Sequence, residues 1–175
     1  MTTTRNKLLD ERNATLNELL EVSFDNLIRA SSFMIPGVVD SYDASKKTVE
    51  VTPALKRIYL DGTNETMAPI SNVPVAFQQA KNFSFTYPIQ KGSEGILIFS
   101  QRSLEEWKKK GGIVLPEDPR RNHLSDAFFI PGITFPGGGD EGDENNVVLK
   151  YFNGKIELTP EGQIKNNGTA LTIDC

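Results

Sequence analysis

Short strands separated by turn signals fill residues 147–175. They run Val147–Phe152, then Asn153-Gly154, Lys155–Thr159, then Pro160-Glu161-Gly162, Gln163–Lys165, then Asn166-Asn167-Gly168, and Thr169–Asp174. Apolar positions return at similar intervals, eight residues from Ile156 to Ile164 and seven from Ile164 to Leu171. A β-meander this short cannot remove enough apolar surface from water to be stable alone. Repetition would supply the missing contacts, and one chain does not provide it. Several copies can intertwine so that each closes its neighbour's apolar face. The segment therefore predicts a homo-oligomer, with Ile156, Leu158, Ile164, Leu171 and Ile173 as interface candidates.

Residues 6–31 read as a helix. Leu9, Leu16, Leu19, Leu20, Phe24, Leu27 and Ile28 recur at three- and four-residue steps, with no Gly or Pro before Pro36. Such a helix is about 35–40 Å long, and its stripe must meet its own domain, other copies or a partner. Leu16, Leu20, Phe24 and Leu27 are the candidates for that packing. From Met34 the texture changes to strands: Gly37–Tyr42, Thr48–Thr52, Lys56–Leu60 running into an Asp61-Gly62 turn, Val73–Gln78, Asn82–Tyr87, Gly95–Ser100 and Ala127–Ile130. Gly95–Ser100, apolar at consecutive positions, predicts a central strand covered on both sides. Ser103–Gly111 predicts a short helix, with Ser103 as its cap, Glu105 and Glu106 in the first turn and Lys108–Lys110 in the last. Leu104 and Trp107 would pin it to the sheet. Five or so strands with one short helix before the last predict a small OB-type barrel, with a β-sandwich as the alternative. Phe135–Asn146 is a linker by composition. The expected organisation is an N-terminal amphipathic helix (1–33), an OB-fold barrel (34–135), a Gly/acidic linker (136–146) and an oligomerising β-segment (147–175).

Charge is nearly balanced. The whole net −4 is matched by Asp140, Glu141, Asp143 and Glu144, which no base accompanies. A polyanion-binding surface needs concentrated Lys and Arg, so nucleic acid is not expected as a partner. One cysteine, Cys175, excludes a disulfide within the chain, and one histidine, His123, excludes a multi-His metal centre. No apolar run approaches the ~20 residues that cross a bilayer, and the Thr- and Arg-containing start does not read as a secretory signal. His123-Leu124-Ser125-Asp126 holds the residue types of a hydrolase triad, but such relays are assembled from separate elements, so polar turn residues are the expectation. Glu105, Glu106, Glu117 and Asp118 are expected in helix-end and turn roles. The acidic stretch lacks EF-hand spacing, and Gly137–Gly139 lacks the Lys-Ser/Thr of a phosphate loop. Phe83, Phe85 and Tyr87 are expected in the core. On an open barrel face they would instead suit a binding module for single-stranded nucleic acid or glycan, the alternative function. No catalytic, cofactor-binding or metal residue is expected.

The order of parts resembles the N-terminal part of the central spike proteins of contractile-tailed bacteriophages, the cell-puncturing or baseplate assembly protein V family. The similar residues are Asn6–Asp10, Ile35–Val39, Thr48–Ala54, Thr86–Glu94, Ile98–Ser103, Trp107 with Gly111-Gly112, and Asp118–Phe128. This resemblance implies a mainly β protein with an N-terminal helix, an OB-fold β-barrel and a short intertwined trimeric β-helix or β-prism tail. It implies a non-enzymatic virion component without cofactor: a homotrimer mounted on a baseplate hub protein and driven through the host outer envelope. Some of the fuller members hold a tip iron with a His-x-His pair. This chain has no such pair, which implies a separate spike-tip protein.

Overall fold

The computed structural model describes residues 15–59, 62–139 and 142–168. Helix residues 6–14, Leu60 and Asp61 of the expected hairpin, Asp140 and Glu141, and the final strand with Leu171 and Ile173 lie outside the described residues. The chain divides between Thr134 and Phe135 into two compact units.

In the first unit, helix α1 (Leu16–Ala30) starts at a reciprocal cap. The Thr15 hydroxyl accepts the Glu18 amide at 3.3 Å, and the Glu18 carboxylate accepts the Thr15 amide at 2.9 Å. After the helix the chain is tied down by Ser32 N–H donating to the Asn122 carbonyl (3.0 Å) and Phe99 N–H donating to that of Phe33 (2.9 Å).

The protein is mainly β. Strands β1 (Met34–Asp43), β2 (Thr48–Pro53), β3 (Arg57–Ile58), β4 (Asn64–Glu65), β5 (Ile70–Pro74), β6 (Gln78–Ala80), β7 (Phe83–Phe85) and β8 (Glu94–Phe99) precede helix α2 (Glu105–Lys110) and strand β9 (Ala127–Pro131). A five-stranded antiparallel sheet in the order β5-β2-β1-β8-β9 forms a half-barrel; β3-β4 and β6-β7 are separate hairpins. The curl has a local cause. Register shifts between Val39 and Ser41 on β1, and between the pairs Val49–Val73 and Val51–Ile70, insert bulges that bend and twist the strands. The two edges then approach: Val75 and Phe129 make one parallel bridge, and Ala76 N–H donates to the Phe129 carbonyl at 2.8 Å.

Alternation along β2 and β8 turns Val49, Val51, Leu97 and Phe99 inward, where they meet Val39, Val73, Ala127 and Phe129. β8 is central, between β1 and β9, as its apolar run predicted, but it is not covered equally on both sides: Leu97 and Phe99 are buried, whereas Ile96 and Ile98 are only half-buried. Gly95 makes its close pairing with β9 possible, because a Cβ there would collide with the Ile130 carbonyl oxygen and lie 2.5 Å from the Phe129 ring. Gly95→Ala is expected to cost about 1–3 kcal/mol, read as a lower denaturation midpoint; an unchanged midpoint would contradict this packing.

Three further expectations are corrected. Phe83, Phe85 and Tyr87 are not core: Phe83 is 60% exposed, and Phe85 and Tyr87 lie against each other near Phe77 at the surface. Their alternation reflects a two-stranded hairpin with no layer above it. Val73–Gln78 is not one strand, since pairing to β2 ends at Pro74 and the chain then crosses to β9. Ser103 does not cap α2. Leu104 occupies the cap position, and its amide donates to the Asp126 carboxylate at 2.9 Å. Leu104 is buried, and Trp107 packs edge-on against Phe128 at 5.5 Å, the anchoring expected of both.

The second unit holds strands β10 (Val147–Tyr151), β11 (Gly154–Leu158) and β12 (Ile164–Asn167), an antiparallel three-stranded meander.

Candidate functional site

Register decides what the meander presents. Paired residues of an antiparallel ladder point to the same side, and the pairs are Val147–Leu158, Leu149–Ile156 and Tyr151–Gly154, then Leu158–Ile164 and Ile156–Asn166. One face therefore gathers Val147, Leu149, Tyr151, Ile156, Leu158 and Ile164, and all six are exposed. The other face carries Lys150, Lys155, Glu157 and Lys165 beside Val148, with Lys155 and Glu157 ion-paired. This is a sheet with an apolar face and a charged face, and the described residues of its own unit provide no layer over the apolar face.

Of the predicted interface residues, Ile156, Leu158 and Ile164 share that face, while Leu171 and Ile173 are outside the described residues. Sequence reasoning missed Val147, Leu149 and Tyr151. Their two-residue spacing carried the signal, but only the pairing with β11 shows which of the alternating sets joins Ile156.

Leu16, Leu20, Phe24 and Leu27 lie along one stripe of α1 with Leu19 and Ile28, and all are exposed. That stripe is broader than a coiled-coil seam and suits a wide apolar surface.

The residues with chemical potential serve the half-barrel. Asp126 is buried, and Arg120 grips it with Nε donating to Oδ2 at 2.6 Å and Nη2 to Oδ1 at 3.1 Å. Arg120 also reaches Asp118 at 3.0 Å and Glu105 at 2.8 Å, tying α2 and the following loop to the start of β9. His123 Nδ1 is 2.8 Å from Ser125 Oγ, but the Asp126 carboxylate is taken by Arg120 and the Leu104 amide. His123, Ser125 and Asp126 therefore do not form a relay.

Burial alone would push the Asp126 carboxyl up, but hydrogen bonds from Arg120 and the Leu104 amide outweigh it and hold the carboxyl below the usual range. Glu106, bonded by Lys109 at 2.8 Å and Lys110 at 2.6 Å, is pulled down to about 2. Both groups are more acidic folded than unfolded. Their contribution to stability is complete above the unfolded carboxylate range near ~4 and is lost as pH falls through the folded values. The melting temperature of the half-barrel is expected to be level from neutral pH to about 5 and to drop below about 4. A rise on acidification would contradict the assignment.

Together these features define a mainly β protein: a half-barrel domain that follows one amphipathic helix, and a separate three-stranded sheet with a bare apolar face. Residues 35–132 match the family described as the phage protein Gp138 N-terminal domain. The match spans more than half of the chain, all of it within the half-barrel unit, and the chain belongs to this phage protein family. Comparison with curated proteins gives no match.

Proposed function

We propose that the protein is a non-enzymatic structural component of the phage virion, the homotrimeric central spike of a tail baseplate. The observation that carries this reading is the six-residue apolar face of β10–β12, backed by a charged face on the same strands. Three copies wound about a shared axis would turn those faces inward and leave the charged faces to solvent, forming an intertwined β-helix or prism. Such a shaft resists axial load because many interchain hydrogen bonds must fail together. The order β5-β2-β1-β8-β9, with its parallel β5–β9 approach and a helix before the last strand, supports an OB-type barrel at the wider base. The α1 stripe would dock on the hub, a separate tip protein would complete the point, and contraction would drive the assembly through the host envelope.

Labelling intact particles with an antibody raised against this chain tests the placement. Label is expected at the end of the tail remote from the capsid. Label on the capsid, or none on mature particles, would contradict it.

A further inference from the structure

Independently of trimer formation, an open groove of about 920 Å³ runs between the β1–β2 turn, β5 and α2 in the half-barrel unit. Three of its cations already have carboxylate partners: Lys46 with Asp43 at 3.6 Å, Lys109 with Glu106, and Arg120 with Asp126 and its neighbours. Lys47 and Lys108 differ, because neither makes an ion pair among the described residues. The Lys47 ammonium meets only the neutral Gln79 side chain at 3.4 Å, and that of Lys108 meets the Ser125 carbonyl at 3.2 Å. Burial also pushes the Lys108 ammonium below its ordinary value, so an arriving anion would stabilise its charged form.

Backbone strain marks the same place. Among the described residues four non-glycines have left-handed φ, and two of them, Lys47 (φ 54) and Asn72 (φ 56), line this groove. Asparagine tolerates that conformation, whereas a lysine there is strained where glycine would not be. Strain of this kind gathers at sites where a side chain's position matters. Trp107 and Phe77 add aromatic surface to the walls.

We propose that this groove binds an acidic glycan, with sugar rings against Trp107 and Phe77 and a carboxylate or phosphate held between Lys47 and Lys108. Two ammonium groups without a carboxylate partner are too few to follow a polynucleotide backbone, which needs a track of cations. They fit a polymer whose charges are spaced by neutral sugar rings.

Trp107 is the only tryptophan in the sequence, so its fluorescence reports on the groove directly. The test titrates the full chain with a short oligogalacturonate, its methyl-esterified neutral counterpart and single-stranded oligothymidylate. A saturable change with the oligogalacturonate alone is expected. Lys47→Gly is expected to weaken it about tenfold, the effect of losing one charge-assisted contact, while leaving the melting temperature equal or higher. Lys108→Gln is expected to weaken it similarly. Equal response to the esterified sugar, tighter binding of the oligothymidylate, no response to any probe, or full affinity in Lys47→Gly would each overturn the assignment.

Discussion

Ile156→Asp is expected to turn the assembled protein into separate 19.4 kDa chains while the half-barrel keeps its melting transition. Ile156 sits at the middle of β11, paired with Leu149 on one side and Asn166 on the other, on the face that has no cover. Fully burying an aliphatic side chain of this size contributes about 1.5–3 kcal/mol. In the proposed trimer the substitution would remove that from every copy and place a carboxylate in the closed apolar interior, where an unpaired charge is far more costly still. Leu149→Asp is expected to act the same way. Lys150→Asp, on the charged face of the neighbouring strand, is expected to leave the mass unchanged. If Ile156→Asp stays assembled, the apolar face is not what joins the chains.

Arg120→Ala is the second large expected effect, and it acts on the half-barrel. The loss of one guanidinium leaves the buried Asp126 carboxylate with the Leu104 amide as its remaining close donor, and it unties Glu105 of α2 and Asp118 of the following loop from the start of β9. Breaking a buried pair by removing one partner costs about 3–5 kcal/mol, against a usual domain stability of about 5–15 kcal/mol. Unfolding in urea should therefore move to much lower denaturant. Arg120→Lys is expected to recover little, since an ammonium cannot reproduce the two-point grip of the planar group. Adding Asp126→Asn to Arg120→Ala should restore part of the loss, because the orphaned charge is then gone. A midpoint shift of under ~1 kcal/mol for Arg120→Ala would mean that Asp126 is stabilised by something else.

Much of the half-barrel was legible because its signals are local. Alternation along Thr48–Thr52 and the apolar run Gly95–Ser100 gave β2 and β8, and the charge asymmetry of Glu105–Lys110 gave α2. What escaped depends on residues distant in the chain. The carboxylate that meets the start of α2 is Asp126, brought there from beyond the helix by the fold, so the adjacent Ser103 looked like the cap. The bulges that curl the sheet follow from pairing register, which no single strand encodes. Phe83 and Phe85 have the spacing of a core strand, but burial needs a second layer, and periodicity does not show whether one exists. The candidate face was half visible: Ile156, Leu158 and Ile164 stood out by their repeat, whereas Val147, Leu149 and Tyr151 joined them only once the ladder was known. Lys47 and Lys108 lie far apart in sequence, and only the curl of the sheet sets them along one groove.

Sedimentation equilibrium of residues 34–175 beside residues 34–136 addresses the uncovered sheet most directly. The longer chain is predicted to sediment as a trimer that persists on dilution, and the shorter one as a weaker association or a folded monomer. A stable monomer for the longer chain, or a trimer equally stable without β10–β12, would contradict the account.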